Sequence, residues 1–370
     1  MIFKSKSPNI NQETVLEKLR LVQDPDLRKD IVSLGFVKQL KIEGAKVSFQ
    51  VELTTPACPV KEQLKAQCEE VVKSIKGVET VEVTMTANVR PGTTQSNRIA
   101  LPSVKNVIAI ASGKGGVGKS TVTINLSMAL AAEGARVGLL DADIYGPSVP
   151  LMMGTVDAKP ESKDKRVIPI ERSGVKMMSM GYLIPPGEPV VWRGPMVHGA
   201  LTQFLNQVEW GDLDYLLIDM PPGTGDAQLT ISQSAPLSGA IIVTTPQEVS
   251  LIDARKGLKM FQNVKVPILG VIENMSGFVC GHCQEVTPIF RQGGGQKIAQ
   301  EAGVELLGTI PLDPKLAETS DLGHPMVLSN PDSEVSNRYR QMARQIAARL
   351  SVMSLQNGGS FKPLSMEWQS

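Results

Sequence analysis

Residues 112–121, SGKGGVGKST, combine closely spaced glycines with two lysines and a serine. Residues 113–120 fit the pattern G-x-x-x-x-G-K-[ST], in which glycines let successive backbone N–H groups converge on phosphate oxygens. An apolar segment, NVIAIAS, precedes this loop and a helical segment, STVTINLSMALAAEG, follows it, as a phosphate-binding loop requires. The predicted nucleotide-binding residues are Gly113, Lys114, Gly115, Gly116, Val117, Gly118, Lys119, Ser120 and Thr121.

Carboxylates at two strand ends complete this predicted site. Lys119 is expected to bridge the β- and γ-phosphates, and Ser120 to ligate Mg²⁺. Asp141 and Asp143 end one buried segment, LLDADIYGPS, and Asp219 ends another, LLIDMPPGTGD. Because such strand ends face the ligand crevice of open α/β sheets, we expect Asp219 and Asp141 near Mg²⁺ and Asp143 at the attacking water. The PPGTGD loop is predicted to sense the γ-phosphate. The alternative for either member of the 141/143 pair is to cap the next turn.

A second kind of chemistry is indicated by FVCGHCQ, which places Cys280 and Cys283 where both sulfurs can meet one metal centre. A thiolate-held cluster or a structural zinc commonly takes four ligands, and this region offers two. The other cysteines, Cys58 and Cys68, lie in a separate N-terminal segment, so one copy of this region cannot complete a Cys₄ site alone, whereas two copies related by a twofold axis could. We interpret His282 as a spacer. A bridging zinc and a dithiol redox pair remain alternatives.

The elements that position these residues fall into two regions. Residues 1–86 are predicted to form a small α+β domain, with a helix at 11–21, the hairpin strands FVKQLKIE and KVSFQVEL, a helix at 60–75 and the strand VETVEVTMT. Residues 87–103 are rich in Pro, Gly, Ser, Thr and Asn and are predicted to be a linker.

From residue 104 to 352, short apolar runs alternate with helical stretches: NVIAIAS, RVGLLDAD, YLLIDMP, GAIIVTTP, ILGVIEN and ELLGTIP. Such runs suit strands covered on both faces, so the fold class is α/β, a mostly parallel sheet between helices. VSNRYRQMARQIAARL is expected to be a terminal helix on this sheet, and residues 353–370 a polar tail.

Bulk composition narrows the class of protein. The formal net charge is +1, with 20% charged and 42% hydrophobic residues, so no bulk field attracts nucleic acid or anionic lipid. The first residues, MIFKSKSPNINQETVLEKLR, lack the apolar core of a signal peptide, and no apolar run approaches the roughly 20 residues of a membrane-spanning helix. We therefore expect a cytoplasmic protein with reduced cysteines and with no nucleic-acid or membrane partner.

Five segments together resemble the Mrp/ApbC family of iron–sulfur cluster carrier ATPases, relatives of MinD, ParA and the nitrogenase iron protein. They are GKGGVGKS, DADIYGPS, WRGPM, DYLLIDMPPGTGD and ENMSGFVCGHC, and the resemblance covers about residues 100–350. It implies a homodimer that hydrolyses ATP with Mg²⁺ and delivers clusters to apo iron–sulfur proteins. A [4Fe–4S] cluster would bridge the dimer through one Cys280–Cys283 pair from each chain. It also implies that Lys114 reaches the nucleotide of the other subunit, the alternative being a solvated loop lysine.

The resemblance extends to the base pocket and to the N-terminal region. Asn274 resembles the adenine-recognising asparagine of the family, and Pro311 and Asp313 the segment beside the base, although an asparagine after a strand is also a common turn residue. DPDLRKDIVSLGFV and LTTPACPV resemble the MIP18-like or SufT-like domain, whose cysteine corresponds to Cys58. A helix start would lower the pKa of Cys58 and make it reactive, or Cys58 is simply buried, and Cys68 is expected in the core.

Two other functions remain open on the sequence. A MinD- or ParA-like spatial organiser needs a membrane-binding amphipathic helix or a basic surface, and SLQNGGSFKPLSMEWQS with a net charge near zero offers neither. An electron donor like the nitrogenase iron protein would share the bridging cluster, so the sequence separates it poorly from a carrier.

Overall fold

The computed structural model describes residues 10–92, 98–184, 194–280, 282–283 and 285–357. They form two domains in the order that the sequence predicts. The elements of the N-terminal domain are α1 Gln12–Leu19, β1 Gln23–Asp24, β2 Lys29–Asp30, β3 Val37–Glu43, β4 Lys46–Leu53, α2 Lys61–Lys73 and β5 Thr80–Ala87.

The N-terminal domain is built on the predicted hairpin. β3 and β4 pair antiparallel, and β5 joins β4 in parallel, which needs α2 as the crossover. Alternate residues of KVSFQVEL are buried, so one face of β4 supplies Val47, Phe49, Val51 and Leu53 to a core that α1 and α2 cover. The alternation visible in the sequence therefore sets which face of this small sheet is inside.

The second domain contains the remaining elements. Its strands are β6 Val104–Ala111, β7 Val137–Asp141, β8 Ser162–Lys163, β9 Arg166–Val167, β10 Ile170–Arg172, β11 Val175–Ser179, β12 Leu213–Asp219, β13 Gly239–Thr244, β14 Ile268–Val279, β15 Val286–Thr287 and β16 Leu306–Leu312. Its helices are α3 Lys119–Ala132, α4 Val149–Met152, α5 Gly194–Gln207, α6 Asp226–Ser234, α7 Glu248–Asn263, α8 Gly294–Ala302, α9 Pro314–Asp321, α10 Met326–Ser329 and α11 Glu334–Asn357, with a 3₁₀ turn at Met180–Tyr182.

Within the described residues, nine strands of this domain form one sheet in the order β10-β11-β7-β12-β6-β13-β14-β15, with β16 also pairing with β14. Neighbouring strands from β11 to β14 in this order are parallel, and so are β14 and β16. At the margins of the described sheet, β10 pairs antiparallel with β11, and β15 pairs antiparallel with β14. The predicted α/β class and parallel sheet are confirmed. Consequently β6, β7 and β12 end at the same edge of the sheet, which brings Asp141 and Asp219 into register beside the loop that follows β6.

Helices cover both faces of the sheet, and alternate residues of β6 pack into the core on one face or the other. Ile108 and Ile110 join the core under α3 and α11, whereas Val107, Ala109 and Ala111 join the core under α5, α7 and α8. Buried apolar residues on both faces explain why these strands lack a polar–apolar alternation. No helix in the described ranges has the length and apolar character needed to cross a bilayer.

Contacts of the described residues lie close to two predicted boundaries. At the start of the predicted linker, Ala87 ends β5 and Asn88 N–H donates to Leu53 O in the N-terminal domain. Further along, Gly92 N–H donates to Lys105 O and Ile99 N–H to Ser234 O in the second domain, and residues 93–97 lie outside the described residues. The terminal helix α11 continues to Asn357, four residues beyond Met353. Leu355, within the predicted tail, packs against the core of the N-terminal domain, which gives this last helical turn an apolar contact.

Candidate functional site

The glycine-rich loop joins β6 to α3 as predicted. Gly116 and Gly118 have φ angles of 79° and 80°, in the left-handed region that glycine adopts most readily. Gly118 is the N-cap of α3, and no side chain caps this helix. The first N–H groups of α3 therefore remain available at the mouth of the loop, where a helix N-terminus favours an anion.

Asp219 is the centre of a buried polar network at this loop. Lys119 Nζ lies 2.7 Å from Asp219 Oδ1, and Ser120 Oγ donates to Asp219 Oδ2 at 2.6 Å. Thr123 Oγ1 also donates to Asp219 Oδ1, at 2.8 Å. The predicted phosphate lysine, Lys119, is thus a neighbour of Ser120 and Asp219, two of the three residues predicted near Mg²⁺. The sequence analysis missed Thr123, although its position four residues after Lys119 places it on the same face of α3.

Asp141 lies next to Asp219 but has other partners. Its carboxylate accepts hydrogen bonds from Asp143 N–H at 3.2 Å, Val149 N–H at 3.2 Å and Ser179 Oγ at 2.9 Å, and its side chain is fully buried. Burial, and then the negative charge of Asp219, raise the pKa of Asp141 to about 7. This arrangement supports the turn-capping alternative, and the place of Asp141 near Mg²⁺ stays a prediction.

Asp143 is half-buried and lies within electrostatic reach of the loop. Burial raises its pKa, Lys119 opposes that rise and Asp219 adds to it. Backbone N–H groups of Gly146 and Tyr145 also donate to its carboxylate, which fixes the turn. Ser179, which binds Asp141, ends β11, and the sequence analysis missed this strand because VKMMS is a short apolar run between turn residues.

Lys114 differs from Lys119 in exposure. Lys119 is buried, whereas Lys114 is exposed at the tip of the loop. The loop packs closely against α7 at its base. Gly113 lies so near the backbone of Asp253 that a Cβ at this position would collide with it. An exposed lysine on a fixed loop can reach outward from the chain, and it need not contact the phosphates that its own loop holds.

A cavity of about 300 Å³ opens beside the loop and contains the predicted base-pocket residues. Gly118 and Thr121 line it from the loop, Asn274 from the middle of β14, and Pro311 and Asp313 from the end of β16 and the residue that follows it. Asn274 Nδ2 donates to Val117 O at 2.9 Å, so this side chain also supports the loop. The structure thus joins the predicted base residues to the phosphate loop in one crevice.

The cysteine pair occupies the turn between β14 and β15. Cys280 N–H donates to Glu285 O at 3.0 Å, which closes the turn and leaves Cys280 partly exposed and Cys283 exposed. Backbone N–H groups of Cys283 and then His282 lower the pKa of the Cys280 thiol. Hydrogen bonds to sulfur favour the thiolate, which is the form that binds metals. His282 contributes through its backbone, as expected of a spacer.

Among the described residues, no group of three or more His, Cys, Asp or Glu side chains is placed to hold a metal ion. The pair Cys280 and Cys283 therefore provides two ligands and not a complete site. Whether a second chain completes a four-thiolate centre stays a prediction.

The two cysteines of the N-terminal domain are buried. Cys58 precedes α2, which begins at Lys61, and belongs to the core of its domain. Burial raises the pKa of Cys58 to about 11 and that of Cys68 to about 12. Of the two alternatives for Cys58, burial favours the core residue, because desolvation is the largest influence on its pKa. The expectation that Cys68 lies in the core is confirmed.

Part of one segment used in the sequence analysis, WRGPM, is outside the described residues, which resume at Gly194. The PPGTGD loop lies beside the site, where Gly223 N–H donates to Ser112 O at 3.1 Å. Gln228, in α6, donates to Pro221 O, which ties this loop to the helix that follows.

Comparison with known proteins agrees with both domains. A family model described as NUBPL iron-transfer P-loop NTPase matches residues 103–347, and one described as iron-sulfur cluster assembly protein matches residues 12–84. An iron-sulfur cluster carrier protein of Synechocystis sp. is 50% identical over 351 residues, which are 94% of this chain and 99% of the relative. Its counterpart in Escherichia coli K12 is 44% identical over 350 residues, which are 94% of each chain.

The solved structures add a nucleotide-bound relative. A nucleotide-binding protein of Archaeoglobus fulgidus, in complex with ADP, is 40% identical with a TM-score of 0.56, and the match covers 63% of this chain and 90% of that one. The resemblance drawn from the sequence motifs is confirmed, and the chain belongs to the NUBPL iron-transfer P-loop NTPase family.

Proposed function

We propose that this protein is a cytoplasmic, homodimeric ATPase that binds a [4Fe–4S] cluster and transfers it to apo iron–sulfur proteins. The observation that carries the proposal is the exposed pair Cys280 and Cys283, which offers a stabilised thiolate and half of a four-ligand set. The cluster is the cargo, so a site on the surface suits its release. Relatives named iron-sulfur cluster carrier proteins, similar along almost the whole chain, support the same function.

The nucleotide site suits Mg-ATP. Mg²⁺ in such sites takes one or two protein oxygens and completes its shell with phosphates and water. Ser120 Oγ and Asp219 Oδ2 lie 2.6 Å apart beside Lys119, so these two oxygens fit that donor set without a larger protein cage. The ion would neutralise phosphate charge there. Lys119 would hold the β- and γ-phosphates, and the N–H groups of the loop would surround them.

Hydrolysis in this scheme depends on position and charge. Asp143 interacts electrostatically with Lys119 and Asp219 and is our candidate to orient the attacking water. The PPGTGD loop, bound to Ser112 through Gly223 N–H, would adjoin the γ-phosphate. Lys114, exposed on its fixed loop, would extend to the phosphates held by the partner subunit and stabilise the charge that develops during transfer. Asn274, Pro311 and Asp313 would contact the base from the adjoining cavity.

A single dimer interface accounts for two incomplete features of the chain. Lys114 is surplus to its own loop, and the cysteine pair lacks two ligands. Face-to-face subunits would place each lysine at the other nucleotide and bring both pairs to one cluster on the twofold axis. The free state of all four cysteines agrees with a reducing compartment.

Anaerobic reconstitution with iron and sulfide tests this function. The dimer should bind about four iron atoms, as one cubane held by four thiolates requires. Cys280→Ser and Cys283→Ser should each lower iron occupancy sharply, because serine is a harder and weaker ligand for iron. Cys68→Ala, in the N-terminal core, is the matched control and should keep the cluster.

Transfer is measured by mixing the loaded protein with the apo form of a [4Fe–4S] enzyme and following the recovery of its activity. A carrier loses its cluster to the acceptor, whereas an electron donor keeps it through the redox cycle. A full cluster on a monomer, or one retained after both Cys280 and Cys283 are replaced, would exclude the bridging arrangement. Zinc in place of iron in protein isolated without oxygen would exclude the carrier function.

A further inference from the structure

Strand β14 connects the two parts of the proposed site, the nucleotide crevice and the cysteine pair, within one short segment. Asn274 stands at the nucleotide crevice, and Cys280 follows Val279, the last residue of the strand. At about 3.3–3.6 Å for each extended residue, the Cα atoms of Asn274 and Cys280 are within about 20 Å of each other. A change at one end of this segment can therefore be transmitted to the other through a single piece of backbone.

Asn274 holds the phosphate loop directly. Its Nδ2 donates to Val117 O at 2.9 Å, and its side chain is only 5% exposed. The same amide fills the space in which a Cβ on Gly118 would stand. Gly118 is the N-cap of α3 and immediately precedes Lys119. Asn274 thus fixes the backbone at the point where the phosphate lysine begins its helix, a role that contact with a base would not require.

The strand is irregular just after Asn274. Its parallel register with β16 runs from Asn274↔Ile310 directly to Phe278↔Leu312, so residues 275–277 stand opposite a single residue, Pro311. Proline has no N–H to give to the ladder, which allows this interruption. Met275 has a φ of 57°, a left-handed conformation that is unfavourable for a non-glycine side chain. Bulges of this kind redirect strands beside functional sites.

Beyond the bulge, the chain is bound firmly to the hairpin that carries the cysteines. Residues 278–279 pair antiparallel with β15, and Cys280 N–H donates to Glu285 O. Phe278, Val279 and Cys280 are therefore joined to β15 and Glu285, and Phe278 also stands opposite Leu312 of β16. The bulge is the irregular part of an otherwise paired connection between the loop and the cysteines.

We infer that Asn274 is a positioning residue that couples the phosphate loop to the cysteine pair, with residues 275–277 as the joint between them. The inference rests on the proposed function and adds a structural connection between the nucleotide site and the cysteine pair. Phosphates that settle in the loop fix the Val117 carbonyl, the amide of Asn274 follows it, and the joint holds the hairpin in one orientation. The nucleotide then controls the accessibility of the cysteines without touching them.

Alkylation of Cys280 by N-ethylmaleimide, followed by peptide mass spectrometry, tests the coupling on the metal-free full chain. Saturating Mg-ADP should slow alkylation of the wild type by about fivefold, the low end of ordinary coupling between sites. Asn274→Asp keeps the size of the side chain and removes the Nδ2 donor to Val117 O, so the effect of ADP should disappear even where ADP is saturating. Asn337→Ala, on the exposed side of α11, is the matched control and should respond like the wild type.

A second variant examines the joint itself. Met275→Gly removes the unfavourable side chain at positive φ and makes the joint more flexible, so ADP should bind while protection of Cys280 shrinks. Binding is measured separately by calorimetry. If Asn274→Asp binds ADP and still protects Cys280 fully, or if the wild type binds ADP without any change at Cys280, the coupling is overturned and the proposed function stands. If the wild type binds no nucleotide, both fail.

Discussion

The hydroxyl groups of Thr55 and Tyr215 lie 3.1 Å apart and form a buried hydrogen bond between the two domains. Thr55 follows β4 in the N-terminal domain, whereas Tyr215 belongs to β12, the strand that ends in Asp219. Burial raises the pKa of Tyr215, so its hydroxyl stays protonated and can donate. The N-terminal domain is therefore attached to the same strand that supplies the carboxylate at the phosphate loop.

A double-mutant cycle measures this attachment. Tyr215→Phe should lower the midpoint of thermal unfolding by about 2–4 °C, because one buried hydrogen bond contributes about 1 kcal/mol in a protein of this size. Thr55→Val should cost more, because Thr55 Oγ1 also accepts from Ala57 N–H. The double variant should be less destabilised than the sum of the two single variants. Additive losses in calorimetry would show that the two hydroxyl groups do not interact in solution.

Thiol titration should divide the four cysteines into two classes. Burial raises the pKa of Cys58 to about 11 and that of Cys68 to about 12, whereas backbone N–H groups lower that of Cys280. Since the thiolate is the reactive form, the folded metal-free protein at pH 8 should show two fast thiols per chain with Ellman's reagent. While the pH stays below the pKa of Cys58, the reaction rate of this thiol should rise about tenfold for each unit by which the pH is raised.

The control for this titration is the unfolded protein, in which all four cysteines should react together. Cys283→Ser should remove one of the fast thiols, and Cys68→Ala should remove neither. A third fast thiol in the folded protein at pH 8 would contradict the buried position of Cys58 or of Cys68.

Much of the fold follows from local pattern. The run of apolar residues in NVIAIAS and the glycine spacing after it are enough to predict a buried strand, a phosphate loop and a helix, and β6 and α3 occur there. The position of Asp219 at a strand end also predicts its place in the crevice. These features depend on residues near one another in the chain, so sequence periodicity records them.

The remaining features depend on distant contacts. Nothing near Asp141 in sequence indicates that Ser179 will take its carboxylate, because the two meet only when β11 joins β7 in parallel. Cys58 precedes a helix, and only the packing of the domain core decides that desolvation controls its pKa. The contact of Asn274 with Val117 O likewise joins residues more than 150 positions apart.

Two glycines of the loop provide a test of Asn274 as a support. Gly118→Ala and Gly116→Ala both place a side chain at positive φ, which costs roughly 1–2 kcal/mol. Only at Gly118 would the new Cβ also collide with the amide of Asn274, whereas the surroundings of Gly116 are open. The nucleotide-free Gly118→Ala protein should therefore unfold at a lower temperature than the Gly116→Ala protein. Equal midpoints in differential scanning calorimetry would mean that Asn274 does not occupy this space in solution.

Replacement of Lys119 and replacement of Lys114 should have different effects on ATP binding and hydrolysis. Lys119→Ala removes a buried charge from the loop of its own subunit, so both ATP binding and hydrolysis should fall. Lys114→Ala should leave most ATP binding intact and reduce kcat by about 10²- to 10³-fold, the usual cost of losing one preorganised charge contact in the transition state. Binding is measured by calorimetry and hydrolysis by phosphate release, with the exposed Lys159→Ala as a control for loss of surface charge.

Mixing variants decides whether Lys114 acts on the partner subunit. Ser120→Ala removes the proposed Mg²⁺ ligand of its own loop but keeps its Lys114, whereas the Lys114→Ala chain keeps an intact Ser120. In a heterodimer of the two, the Lys114→Ala chain would regain one complete site, because the other chain supplies the missing lysine across the interface. Phosphate release should then rise well above that of either homodimer, provided that differently tagged chains are copurified to confirm the heterodimer. A confirmed heterodimer without recovered activity would assign Lys114 to its own subunit or to solvent, and the second lysine of the loop would then need another explanation.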